Sequence, residues 1–389
     1  MTCEACFMNA DDRGLRKGSI SFERGAEILQ KYDHGGNVYE DCPTGEPWLD
    51  FSANINPLGL SPLVREAILS RVDDIVHYPD PEARGLKEAL ASFYRVPQET
   101  IVLGNGAAEL FYCFFYTVRP RRVLLPVPSF SEYEKAARAA GAEIRYLPLL
   151  KKQGFAFDSK EAVRQIAQID AIVLCTPNNP TGRLLTQKEL CAFLDQLQGR
   201  GVWVVVDESF LDFREDREVY TVRHLTKRYP YLFVVQSMTK FFALPGLRLG
   251  FGIAEPKLCR RLEDGKDVWN VNFLAQMAGI AALSDKEYQE AARSFVRSEK
   301  KFLASALAKF PGIEVFVPSV NFIFFRLQQG TDFLRRFLIS LRERGILLRD
   351  CSNYSGLDGA YLRAAVRSRV ENERLLEAMQ EIWRECDAV

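Results

Sequence analysis

The sequence predicts an α/β fold: a large domain around a mainly parallel, seven-stranded sheet, with a smaller α+β domain beside it. Two observations carry that expectation. From about residue 85, short β-branched and apolar runs alternate with stretches of helical spacing. Such alternation marks successive βαβ units and a sheet buried on both faces. After Asp285 the strands become fewer and the helices longer, which marks a separate α+β unit. A chain of 389 residues, 47% hydrophobic, is long and apolar enough to bury both.

The elements follow in order. Residues 1–33 form a polar, mixed extension containing one short amphipathic stretch, Ser19–Gln30, which His34-Gly35-Gly36-Asn37 breaks. A turn-rich stretch, Asn54-Ile55-Asn56-Pro57-Leu58-Gly59, precedes a helix near Leu63–Arg71. The expected strands of the large sheet are Ile101–Leu103, Arg122–Val127, Glu143–Leu147, Ala171–Cys175, Trp203–Val206, Leu232–Val235 and Leu249–Ile253. Helical spacing fills Leu86–Tyr94, Glu109–Val118, Phe130–Ala140 and Gln187–Gln198. A long helix runs from Asp285 to about Lys309. The smaller unit then reads as strands Glu314–Val317, Phe322–Arg326, Ile346–Arg349 and Leu362–Val366, with helices Phe333–Arg344 and Glu371–Glu385. The expected division is 1–33 extension, 34–75 first part of the small domain, 76–280 large domain and 281–389 C-terminal small domain.

Composition excludes several functions. Lys and Arg number 51 against 51 Asp and Glu, so the basic excess of a general nucleic-acid binder is missing. Three histidines argue against a histidine-rich metal site. The nine cysteines are odd in number and irregularly spaced, unlike a secreted disulfide framework. Cys3 and Cys6 form the one close pair, and no second pair follows to complete a zinc site. No metal is expected. No run approaches the about 18 apolar residues of a spanning helix, and the N-terminus has no signal-like apolar region. A cytoplasmic enzyme of small molecules is the expectation.

Four motifs carry chemistry, each at an expected strand end. Leu103-Gly104-Asn105-Gly106-Ala107-Ala108-Glu109 offers small residues and a helix start to a phosphate. Thr176-Pro177-Asn178-Asn179-Pro180-Thr181-Gly182 is a stiff turn able to present an amide. Asp207, ending a buried run, is a costly acid unless a cation meets it. In Ser237-Met238-Thr239-Lys240, a lysine among apolar neighbours can be desolvated towards nucleophilic use. Arg248 follows eight residues later, suited to a phosphate fork. Singly, each also fits a plain structural role: a turn, a helix cap or a surface lysine.

Together they resemble the fold-type-I pyridoxal-phosphate enzymes of the aminotransferase class I/II branch, over about residues 34–385. The resemblance implies pyridoxal 5'-phosphate as cofactor, with Lys240 as its covalent anchor and Asp207 holding the ring nitrogen's proton. It implies Asn179 at the ring's phenolic oxygen and Phe130 stacked on the ring. Gly106, Ala107, Ser237 and Arg248 would bind the cofactor phosphate. Tyr78, in His77-Tyr78-Pro79-Asp80, matches a tyrosine that reaches the phosphate from the other subunit, which implies a homodimer. Phe210 stands where many of these aminotransferases have a tyrosine.

Two branches compete: histidinol-phosphate aminotransferase and the threonine-phosphate decarboxylase of cobalamin synthesis. The segments Asp50–Gly59, Asp207–Phe213, Asp350–Asp358 and Leu362–Arg369 look like the decarboxylase branch. By that resemblance Arg349 would hold the substrate phosphate and Arg363 its carboxylate side. His34, Asn54 and Arg367 are candidates to add to the substrate pocket. A regulatory module that binds the cofactor without turnover is the alternative from another class. Residues 1–33 are too short for its DNA-binding part, and the net charge disfavours it.

Overall fold

The computed structural model describes residues 34–387. The extension, with the Ser19–Gln30 stretch, Cys3 and Cys6, lies outside the described residues. The first strand, β1 (Leu49–Asp50), pairs far along the chain, as shown below. The central sheet is built from β2 (Ile101–Asn105), β3 (Arg122–Val127), β4 (Glu143–Pro148), β5 (Ala171–Cys175), β6 (Trp203–Asp207), β7 (Leu232–Ser237) and β8 (Leu249–Ala254). Their order is β2-β8-β7-β6-β5-β3-β4, the seven strands expected. Pairing is parallel from β4 through β7, while β8 runs against both β7 and β2. The C-terminal ends of β2 to β7 and the start of β8 therefore share one edge.

Successive strand residues face opposite sides, so a doubly buried strand needs apolar residues at every position. Leu124, Ile172, Leu174, Val204 and Val206 enter one core. Their neighbours Val123, Leu125, Val173 and Val205 enter the other. Helices cover both faces. Gly250 in β8 allows the turn after β2 to approach: a Cβ there would collide with the backbone of Gly106 and Ala107.

The remaining strands are β9 (Ile313–Val315), β10 (Phe322–Leu327), β11 (Ile346–Leu347), β12 (Arg349–Asp350) and β13 (Ala360–Ala365). Four of them form an antiparallel sheet ordered β12-β13-β10-β9. The expected single strand Ile346–Arg349 is corrected to two, because the chain changes partners at Leu348. Residues 346–347 pair in parallel with β1, and residues 349–350 pair with β13.

Three helices were not expected. Ser159–Gln165 is short, and starts because the Asp158 carboxylate accepts the Lys160 and Glu161 N–H groups, each at 3.0 Å. Pro256–Asp264 starts with proline at its first position. Phe273–Ser284 is apolar nearly all round, so it shows no amphipathic period, and Asn272 caps it through the Ala275 N–H at 2.8 Å. Among the described residues no helix is long and apolar enough to cross a membrane.

Candidate active site

The shared strand edge opens into a cavity of about 440 Å³. Its wall gathers most of the residues singled out from the sequence: Lys240, Asp207, Asn179, Arg248, Arg349 and Arg363 among them. Ala107, Phe130, Ser237, His34 and Asn54 line it as well. Strand-end loops of a parallel sheet are the usual place for a ligand, because the crevice there is framed by backbone that the sheet holds rigid.

Each side chain is set by the element before it. Asp207 is the last residue of β6, and Lys240 follows the end of β7. Asn56 holds the lysine segment by donating its backbone N–H to the Lys240 carbonyl at 3.0 Å and its amide to the Phe241 carbonyl at 2.7 Å. Arg248 sits just before β8 in a left-handed backbone conformation (φ 59°), an uncommon geometry for a residue with a side chain. Its guanidinium lies against Gly106, where a Cβ would strike it. Gly106 is not part of the cavity wall itself; its missing side chain makes room for Arg248. Ser237 and Thr239 hydroxyls lie 2.8 Å apart beside the N-terminus of helix Ala107–Val118.

Charges in the cavity disturb one another. Burial raises the Asp207 carboxyl, against donors from Ser209 and Tyr133 and the charge of Lys240. The Lys240 amine is brought down to about 8, first by burial and then by Arg363 and Arg248. An amine that loses its proton near neutral pH can act as a nucleophile or carry a proton. Glu132 is held down at about 2, first by its hydrogen bond with His34 at 2.8 Å.

Next to Asp207 in sequence lies a second carboxyl. Glu208 is fully buried and accepts from Thr221 Oγ1 at 2.7 Å, the Val222 N–H at 2.8 Å and Gln236 Nε2 at 2.9 Å. Burial outweighs these donors and raises it to about 7 from 4.5. The folded chain thus keeps a proton that the unfolded chain loses, so Glu208 lowers stability as pH rises from about 4.5 to 7. Glu208→Gln should remove up to about 3 kcal/mol of that pH dependence. The amide has a place, since Gln236 Oε1 is buried without a partner. Denaturant unfolding of both proteins between pH 4.5 and 8 is the check, read as the difference in slope.

Arg349 and Arg363 are direct cross-strand partners in β12 and β13, so both guanidiniums leave one face of the sheet. Arg363 donates to Asn179 Oδ1 and, at 2.8 Å, to the Ser52 carbonyl. Arg349 donates to Asn353 Oδ1 at 2.9 Å and lies over the Tyr354 ring. Tyr354 in turn donates to Asn179 Oδ1 at 3.3 Å. Both amide atoms of Asn54 are buried without a partner.

Two sequence candidates are placed elsewhere. Arg367 does not reach the cavity wall; it pairs with Glu371 at 2.6 Å, one helical turn on. Tyr78 is exposed and stacks on Trp269 with ring centroids 4.3 Å apart. Conversely Tyr133, Glu132, Ser52 and Tyr354 line the cavity without having been singled out. One signal was available for Tyr133: Phe130-x-x-Tyr133 at a helix start puts both on one face.

The residues fit pyridoxal 5'-phosphate. A helix N-terminus, two hydroxyls and an arginine suit its phosphate, a buried strand-end acid suits a protonated ring nitrogen, and a lysine whose amine is lowered to about 8 suits its aldehyde.

Residues 46–382 match the family described as Aminotransferase class I and II. The threonine-phosphate decarboxylase of Salmonella typhimurium is 36% identical over 90% of this chain and 96% of its own length. A histidinol-phosphate aminotransferase of Methanococcus aeolicus is 30% identical over 86% of this chain and 90% of its own. The crystal structure of an L-threonine-O-3-phosphate decarboxylase from Porphyromonas gingivalis superposes with a TM-score of 0.75 at 28% identity, covering 86% of this chain and 99% of that one. A family match of this extent agrees with the fold and with the strand-edge cavity: the chain belongs to the aminotransferase class I and II family, whose enzymes work with pyridoxal 5'-phosphate.

Proposed function

We propose that this enzyme decarboxylates L-threonine O-3-phosphate to (R)-1-aminopropan-2-yl phosphate, the linker unit of cobalamin. Serine phosphate, which gives ethanolamine phosphate, is the near substrate; one methyl is worth only about 1–3 kcal/mol of discrimination. The observation that carries the reading is the Arg349–Arg363 pair. Two buried guanidiniums directly opposite on adjacent strands, both on the cavity wall, suit a small molecule that carries two anionic groups. Threonine phosphate brings a phosphate and a carboxylate in one small molecule. Histidinol phosphate brings a phosphate and no carboxylate. The aminotransferase reading keeps the support of the 30% identical relative.

In this reading Ser237, Arg248, Ala107 and the room at Gly106 hold the cofactor phosphate. Asn179 has its Oδ1 committed to Arg363 and Tyr354, which leaves its amide N–H for the phenolic oxygen. Phe130 would cover the cofactor ring, Asp207 would keep its ring nitrogen protonated, and Lys240 would anchor it. When bound, the cofactor draws electron density from the substrate's α-carbon, so that a bond there can break and leave its electron pair behind. Arg349 grips the substrate phosphate and Arg363 its carboxylate side, with bidentate geometry suited to both. His34 and Asn54 complete the pocket. Holding the phosphate at Arg349 would orient the substrate so that the bond between its carboxylate and the α-carbon is the one weakened. Lys240 Nζ then delivers a proton to the α-carbon in place of the departed CO2.

Arg349→Ala should raise KM for threonine phosphate by roughly tenfold to a hundredfold, the worth of a charge-assisted hydrogen bond. Unphosphorylated threonine, tested alongside, should be unaffected; equal effects on both would remove the phosphate from Arg349. The substrate assignment itself is tested by offering threonine phosphate, serine phosphate and histidinol phosphate side by side and identifying products. Aminopropanol phosphate should accumulate fastest.

A homodimer belongs to the same reading. The exposed Tyr78–Trp269 stack, with Ile75 and Val76 exposed nearby in sequence, suits a face buried by a second copy, with Tyr78 reaching the neighbouring cofactor phosphate. A cytoplasmic location belongs to the same reading; Cys42, Cys113, Cys175, Cys191, Cys259 and Cys351 are free thiols.

A further inference from the structure

Asp207 is a carboxylate in a place that penalises its charge, and the chain gives it few donors. The Ser209 N–H meets Oδ1 at 2.8 Å, the Ser209 side chain also donates to the carboxylate, and the Tyr133 hydroxyl meets Oδ2 at 2.5 Å. The Ser209 donors lie two residues along and come with the turn after β6. Tyr133 comes from a different element, helix Ser131–Ala139 after β3. It is 1% exposed and lines the cavity. Its ring is fixed edge-on by Phe111, with centroids 4.8 Å apart, and by Phe130 at 5.6 Å. Those contacts belong to the ring; the hydroxyl's partners are Asp207 and the Cys175 thiol.

The chemistry of the three groups assigns the proton. Burial pushes the Tyr133 phenol and the Cys175 thiol well above their usual values, and the charge of Asp207 adds to both. Both therefore stay protonated, and the phenol can only donate to the carboxylate. A hydrogen bond to an ionised acceptor in a water-poor site is among the stronger ones available. The same helix start carries Phe130, so one turn sets the ring face and the acid together.

We infer that Tyr133 is the positioning residue of Asp207: its hydroxyl sets how the carboxylate faces the cavity and how firmly that carboxylate holds the cofactor's ring nitrogen. This rests on the reading that Asp207 meets that nitrogen. Tyr133→Phe keeps the ring contacts and deletes the donor.

The test is a cycle of four proteins: wild type, Y133F, D207N and the double variant. Each is stripped of cofactor and titrated with pyridoxal 5'-phosphate, and the visible absorbance of the loaded protein is followed against pH. Y133F should bind the cofactor about tenfold or more weakly, as loss of a hydrogen bond to a charged group predicts, and shift the pH midpoint of the visible band. In the D207N background the same change should cost much less, because the hydroxyl acts through the carboxylate. Equal losses in both backgrounds, or a Y133F spectrum and affinity matching wild type while D207N differs, would overturn the role of Tyr133. A Y133F chain that no longer folds would overturn it too, by assigning the hydroxyl to stability. If D207N itself binds and titrates as wild type, the failure lies with the Asp207 reading instead.

Discussion

Lys240→Ala is expected to abolish turnover, a loss on the order of 10⁶-fold, as when an enzyme loses its nucleophile. The visible absorbance of the lysine-bound cofactor should vanish with it. No neighbour can substitute. The other cationic side chains of the cavity, Arg248, Arg349 and Arg363, are guanidiniums, whose delocalised nitrogens do not attack a carbonyl. Lys240 is suited because burial and the two arginines beside it bring its amine to about 8. The fold should survive, since the bond that holds this segment is made by the Lys240 backbone carbonyl to Asn56. Absorbance spectra and single-turnover assays are the check; either signal retained would refute the assignment of Lys240.

Asp207→Asn is expected to lower kcat by on the order of 10²–10³-fold, the usual cost of removing one preorganised electrostatic contact. KM should change far less, because the proposed substrate grip is that of Arg349 and Arg363. The reasoning starts at the end of β6. A carboxylate there is costly unless it meets a positive group. A protonated ring nitrogen is such a group, and an asparagine in the same place cannot match its charge. Steady-state kinetics separate the two parameters. A raised KM with kcat intact would show instead that Asp207 serves binding alone.

Much of this site could be read from the sequence because it is built where strands end. Runs such as Trp203–Val206 are apolar at every position, since both faces of the sheet are covered. The polar residue that stops such a run, Asp207, therefore marks the cavity edge. The helix Phe273–Ser284 escaped for the opposite reason: with apolar residues all round, it has no face to betray a period. The Ile346–Arg349 run split because two different sheets bid for adjacent residues, and alternation within one strand carries no record of its partners. Arg349 and Arg363 were legible as arginines but not as neighbours. Their pairing depends on register between β12 and β13, which no local pattern shows. Arg367 lies off the cavity wall and pairs with Glu371, one turn on, a contact that local sequence did not announce. Tyr133 was overlooked because a tyrosine on an apolar helix face is ordinary until its hydroxyl is seen to meet an acid.

The central claim concerns which bond at the α-carbon breaks, and gas release tests it most directly. Purified enzyme with excess pyridoxal 5'-phosphate is given threonine phosphate, with and without 2-oxoglutarate, and CO2 is measured. The account predicts CO2 in amounts equal to the aminopropanol phosphate formed, with no need for the acceptor. Turnover that depends strictly on 2-oxoglutarate, with glutamate formed and no CO2 released, would contradict it.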